Sequence, residues 1–143
     1  MTVKPTILIL CTGNSARSQM AEGLLKHICQ SEYEIYSAGT KPSLVRPEAI
    51  KALAEIGFDI SGYRSKSVDE FAGKEIDYVL TVCDNAKENC PYFPALTKMI
   101  HHSFDDPAAV EGDEETRLEA FRKVRDQIKE YLTKQFLPQI EKA

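Results

Sequence analysis

The chain has 143 residues, 43% of them hydrophobic, and carries 18 Lys and Arg against 22 Asp and Glu for a formal net charge of −4. That is apolar material for one core, so a single domain over residues 1–143 is expected. The acidic balance, without a basic cluster, argues against nucleic acid or an anionic membrane as partner, and no apolar run approaches the length of a membrane span.

Thr6 to Leu10 is a continuous apolar run, which predicts a strand covered on both faces. From Ser18 to Ile28 the period changes, and Met20, Ala21, Leu24, Leu25 and Ile28 share one helical face. Tyr33 to Ser37 alternates and reads as a second strand, ended by Ala38-Gly39. Pro47 suits a helix start, with Ile50, Leu53 and Ala54 inside and Gly57 as the stop. Ser67-Val68-Asp69-Glu70 has the form of a capping box and opens a short helix. Ile76 to Val82 is a third strand and Lys98 to Phe104 a fourth. From Glu114 to about Phe136 the chain reads as a helix, with Leu118, Phe121, Val124, Ile128 and Leu132 spaced by three or four. This order predicts an α/β fold, a three-layer sandwich with a four-stranded, mainly parallel sheet flanked by helices. Ligands of such sheets sit at the carboxyl ends of the strands. Cys11, Cys83 and Asp105-Asp106 each follow a predicted strand and could converge there.

Cys11 stands between the first strand and the first helix. A helix N-terminus and a nearby cation both favour a thiolate, and Arg17 supplies the cation. Between them, Thr12, Gly13, Asn14, Ser15 and Ala16 are small, so the backbone can curl with its N–H groups inward and form a nest for a tetrahedral oxyanion. Arg17 can clamp two oxygens of that anion, and Ser18 can hydrogen-bond the sulfur. Asn14 can bond across the loop. No nucleotide-binding glycine pattern is present.

Four cysteines, Cys11, Cys29, Cys83 and Cys90, do not make a disulfide framework at this length. The short apolar run near the start does not read as a secretion signal, so the expected compartment is the cytoplasm, where thiols stay reduced. Cys83 and Cys90 lie seven positions apart on a polar segment after a strand. A thiol relay, a pair of structural cysteines and a zinc site with His101-His102 all compete there, and the spacing suits zinc worst. Cys29, at the end of an amphipathic helix, reads as a packed structural thiol. Asp106 before Pro107 can deliver a proton to a departing oxygen, with Asp105 as the alternative donor.

The loop C-T-G-N-S-A-R-S resembles the phosphate-binding loop of the low-molecular-weight protein tyrosine phosphatase fold. Its continuation S-Q-M-A-E-G is similar to the thioredoxin-coupled arsenate reductases built on that fold, and Y-S-A-G, P-E-A-I, D-I-S, the Cys83/Cys90 segment and F-D-D-P-A extend the resemblance over nearly the whole chain. The resemblance implies arsenate reduction in which Cys11 attacks arsenate held by the loop and Arg17, with Asp106 as general acid. Cys83 and Cys90 fall at its two resolving positions, with thioredoxin as the reductant and no cofactor. The segment 83–90 is then expected to change its local structure on oxidation, and a monomer is expected. A tyrosine phosphatase, in which water resolves the Cys11 adduct, is the alternative. Against it, Ala108 stands where phosphatases tend to carry an aromatic, and Gln19 where they tend to carry proline. A non-enzymatic redox sensor or oxyanion-binding protein is a third reading, disfavoured by the complete set of nucleophile, clamp and acid. Some relatives hold potassium near the loop through residues like Asn14, Glu22 and Ser37 plus an aspartate. Here Lys66 takes the place of the aspartate, so no metal is expected.

Overall fold

The computed structural model describes residues 4–83 and 92–141. Four strands, β1 (Thr6–Cys11), β2 (Glu34–Gly39), β3 (Tyr78–Thr81) and β4 (Lys98–His101), form one sheet in the order β2-β1-β3-β4. Every pairing is parallel. The chain leaves β1 for one side of the sheet and returns on the other side at β3. The ends of β1 and β3 therefore mark the point where the winding reverses, the usual ligand crevice of an open α/β sheet. Cys11 is the last residue of β1.

Alternation along the strands divides the core. Ile7, Ile9, Leu80 and Ile100 face α1 (Arg17–Cys29), α2 (Pro47–Ala54) and α3 (Glu114–Tyr131). Leu8, Leu10 and Val79 face the other way, against Phe71, Ile76 and Phe93. A single 3₁₀ turn, Val68–Phe71, lies on that second face among the described residues. Ser67 caps it by accepting the Asp69 N–H, whereas a capping box would place the Glu70 N–H on the Ser67 side chain; here that N–H goes to the Ser67 carbonyl in a 3₁₀ turn. The α1 helix is buried almost all round through its first turns, because the sheet covers one side and α2 and α3 the other. Gly23 permits that approach: a Cβ there would stand 2.5 Å from Ile60 Cγ2 and 2.8 Å from Leu53 Cδ1.

Boundaries differ from the sequence reading in several places, among them β3, which is confined to Tyr78–Thr81 instead of Ile76 to Val82. The second strand runs through Ala38 and Gly39, since Leu10 and Cys11 pair with them. The fourth ends at His101, where the chain turns toward Phe104. The last helix passes through a π turn at Leu132–Phe136 into α4 (Leu137–Glu141). The wide turn comes just before Pro138, whose ring and missing N–H a regular helix does not accept. Cys90 and the rest of residues 84–91 lie outside the described residues, as does the expected change of structure in that segment.

Candidate active site

The loop after β1 folds around the Cys11 sulfur. Ser18 Oγ lies 2.8 Å from Sγ, and the Asn14 N–H donates to it at 3.3 Å. Asn14 reaches this position with φ of +48°, a left-handed conformation that asparagine tolerates better than most residues. Its side chain explains the choice. Nδ2 donates to Ser18 Oγ at 2.8 Å and to Ser37 Oγ at 2.9 Å, while Oδ1 accepts the Lys66 N–H at 2.8 Å.

Cys11, Thr12, Gly13, Ser15, Ala16, Arg17 and Asp106 line a pocket of about 210 Å³. Asn14 and Ser18, expected among the oxyanion-binding residues, are instead buried beneath the loop and do not line it. Their place is behind the sulfur. Arg17 is also buried, with only 3% of its surface exposed. Its Nη1 donates to the Phe104 carbonyl at 3.3 Å and its Nη2 stands 3.7 Å from Asp106 Oδ2. Asp106 Oδ1 accepts the Ala108 N–H at 2.9 Å, which caps the short turn Pro107–Ala109. Of the two candidate acids, Asp106 faces the pocket and Asp105 is exposed outside it.

Cys83 departs from expectation. It is completely buried in the core, not presented on an exposed polar segment. Sheet bonding continues past β3: the Val82 N–H donates to Leu10 O, and the Phe104 N–H to Val82 O, which carries Cys83 inside. Cys83 is disulfide-bonded, whereas Cys11 and Cys29 are free. Cys29 behaves as the packed structural thiol expected, and burial first, then Glu32 and Glu141, push its pKa up to about 11.

Glu22, Ser37 and Asn14 are linked, with Ser37 Oγ donating to Glu22 Oε1 at 2.5 Å. Lys66 Nζ lies 3.9 Å from the same carboxylate oxygen and donates to Arg64 O at 3.2 Å. Burial lowers the Lys66 pKa and Glu22 opposes that shift. An ammonium group thus already faces Glu22, and the residues do not fit a potassium ion. Among the described residues, no group of three or more His, Cys, Asp or Glu could hold a metal, and no helix is long and apolar enough to cross a membrane.

Two supporting residues were not singled out by sequence. Gly39 pairs with Cys11, and a Cβ there would lie 2.4 Å from Thr12 O and 2.9 Å from Asn14 N. Only glycine leaves room for the loop backbone. Ser65 Oγ donates to Gly13 O at 2.9 Å and steadies the loop from outside. A serine in a loop carries no such signal in sequence, whereas a glycine at a strand end offers a weak one.

A strand–loop–helix that wraps a thiol and a buried guanidinium around a small anion-sized pocket is the arrangement of the low molecular weight phosphotyrosine protein phosphatase family. The chain belongs to this family, whose model matches residues 6–143. Within it, the chain is 46% identical over 125 residues to an arsenate reductase of Shouchella clausii, covering 87% of this chain and 90% of that one. Its fold is similar to an arsenate reductase solved in a phosphate-binding state, with a TM-score of 0.76, 32% identity and 90% and 94% of the two chains covered. It is also similar to the thioredoxin-dependent arsenate reductase of Corynebacterium glutamicum, at a TM-score of 0.66, 27% identity and 92% and 62% coverage.

Proposed function

We propose that the protein reduces arsenate to arsenite through Cys11, Cys83 and Cys90, with thioredoxin as reductant. The observation that carries this reading is the pocket. It takes a bare tetrahedral oxyanion, and no aromatic side chain among the described residues lines it to hold a phosphotyrosine ring. The similarity to curated arsenate reductases supports the same substrate.

In this reading the Cys11 thiolate attacks arsenic while the loop N–H groups and Arg17 hold the oxygens. Asp106 gives a proton to the departing hydroxyl, which leaves as water. The Cys83 thiolate then attacks Cys11 Sγ. The sulfur–arsenic electron pair departs with arsenic, which leaves as arsenite, and a Cys11–Cys83 disulfide forms. Cys90 attacks Cys83 Sγ, frees the Cys11 thiolate and leaves Cys83–Cys90 for thioredoxin. A free Cys11 beside a bridged Cys83 is in keeping with the end of such a cycle. The bridged Cys83 is completely buried, so the chain must shift to expose it to another protein. The relay is tested with Cys83→Ser. Arsenate turnover should stop while slow aryl phosphate hydrolysis, which needs only the loop and water, survives. Preserved arsenate turnover in that variant refutes the relay. The family's phosphatase reading requires instead that Cys83→Ser leave every activity intact.

A further inference from the structure

We propose that Gln19 is a positioning residue that fixes the direction of the hydrogen bonds leading to Cys11, so that Ser18 donates to the sulfur. This rests on the reading of Cys11 as nucleophile. Gln19 is fully buried in the first turn of α1. One end of its amide meets Asn14 O at 3.0 Å, Asn14 Oδ1 at 2.9 Å and Arg64 O at 2.9 Å. Two of these are backbone carbonyls, which only accept, so that end is Nε2. The other end, Oε1, finds no partner among the described residues. The site therefore keeps this amide for its donors.

The consequence passes to Asn14. Its Oδ1 receives Gln19 Nε2 and the Lys66 backbone N–H, which can only donate, so Nδ2 must point the other way. It points at Ser18 Oγ and Ser37 Oγ. A Ser18 oxygen that already accepts has its single proton left for Cys11 Sγ at 2.8 Å. A thiolate is the form that accepts this bond. Ser37, held in the same way, directs its own proton to Glu22. The charged groups around the sulfur are Arg17 on α1 and Asp106 after β4, with Glu22 and Lys66 behind Ser37. None of those charged groups sets which way the Asn14 amide faces; Gln19 Nε2 does so together with the Lys66 backbone N–H, the two donors that Oδ1 receives.

The test is the rate at which iodoacetamide alkylates Cys11 in the full chain at neutral pH, followed site by site by mass spectrometry. Gln19→Met keeps the volume, adds no charge and removes the orphaned carbonyl, but it also takes the Nε2 bonds from Asn14 O, Asn14 Oδ1 and Arg64 O, so some loss of melting temperature is expected and alkylation is compared on the folded protein well below it. Alkylation should slow by about tenfold, the loss expected for one charge-assisted hydrogen bond. Gln19→Glu, which cannot donate when ionised, should slow it at least as much. The effect should vanish in a Ser18→Ala background, where the double variant reacts within about twofold of Ser18→Ala alone, because Gln19 acts through that hydroxyl. For aryl phosphate hydrolysis kcat should fall and KM should stay, since no pocket donor is touched. Wild-type alkylation in folded Gln19→Met, or losses that multiply in the double variant, overturns the proposal. A wild type in which Cys11 neither alkylates nor turns over any phosphate ester contradicts the reading of Cys11 itself instead.

Discussion

Arg17 Nη2 lies 3.7 Å from Asp106 Oδ2, although the two residues sit on elements 89 positions apart in sequence. The Phe104 carbonyl anchors the guanidinium from the far side, so clamp and acid are set against each other by the loop after β4. Asp106→Asn keeps the bond to the Ala108 N–H but loses the transferable proton. We expect kcat for arsenate and for an aryl phosphate to fall by about 100-fold or more. Inhibition by inorganic phosphate should not weaken, because a negative charge beside Arg17 has gone. Exposed Asp105→Asn should stay within about twofold of wild type. Steady-state kinetics of both variants checks this.

Gly39 governs the shape of the loop from a neighbouring strand. An alanine methyl would meet backbone atoms of Thr12, Asn14 and Cys11 at 2.4, 2.9 and 3.0 Å, and backbone cannot swing aside as a side chain can. Gly39→Ala should cost about 1–3 kcal/mol of stability, as overpacked sites do, and abolish measurable turnover. Denaturant unfolding and an arsenate assay read the two effects separately.

The Lys66 ammonium faces the Glu22 carboxylate, 3.9 Å from Oε1. Added potassium should therefore change wild-type activity little, and large, saturable activation would contradict this. Lys66→Asp should lose activity in sodium buffer and recover part of it with potassium. The assay is a titration of both proteins at constant ionic strength.

His102 stacks on Tyr131 at a centroid distance of 4.0 Å and lies 4.9 Å from Phe104. Burial, and then His101, hold its pKa below the ordinary 6.5. Below pH 6.5 the unfolded chain takes up a proton that the folded chain resists, so stability falls as pH drops from 6.5 toward the folded value. Thermal unfolding between pH 7 and 5 should show this loss, and His102→Gln should flatten it. The carboxylates of Glu55 and Glu70, lowered by Arg122 and Arg64, lose their contribution only on further acidification, below about pH 4.5.

The strands and the two long helices were legible because their signals are local: an unbroken apolar run for β1, and a three-or-four spacing for α3. The nucleophile, clamp and loop were legible for the same reason, since Cys11 to Ser18 is one contiguous stretch. Asp106 was readable only against that stretch, because an Asp-Pro turn alone signals nothing. What sequence could not give was depth. Cys83 has polar residues after it, yet hydrogen bonds from Val82 to Leu10 and from Phe104 to Val82 draw it into the core. Ser18 as a partner of the sulfur and Asn14 as a bond across the loop were legible; that both lie beneath the loop and do not line the pocket was not. Gln19 is an ordinary polar residue in a helix until Arg64, 45 positions later, closes over it.

The central claim is a three-thiol relay that ends on thioredoxin. Its most direct test is arsenate-dependent NADPH oxidation with thioredoxin and thioredoxin reductase, run on wild type and on Cys90→Ser. Wild type should sustain oxidation and the variant should complete no more than a single turnover, with aryl phosphate hydrolysis present in both. Sustained oxidation by Cys90→Ser would contradict the relay.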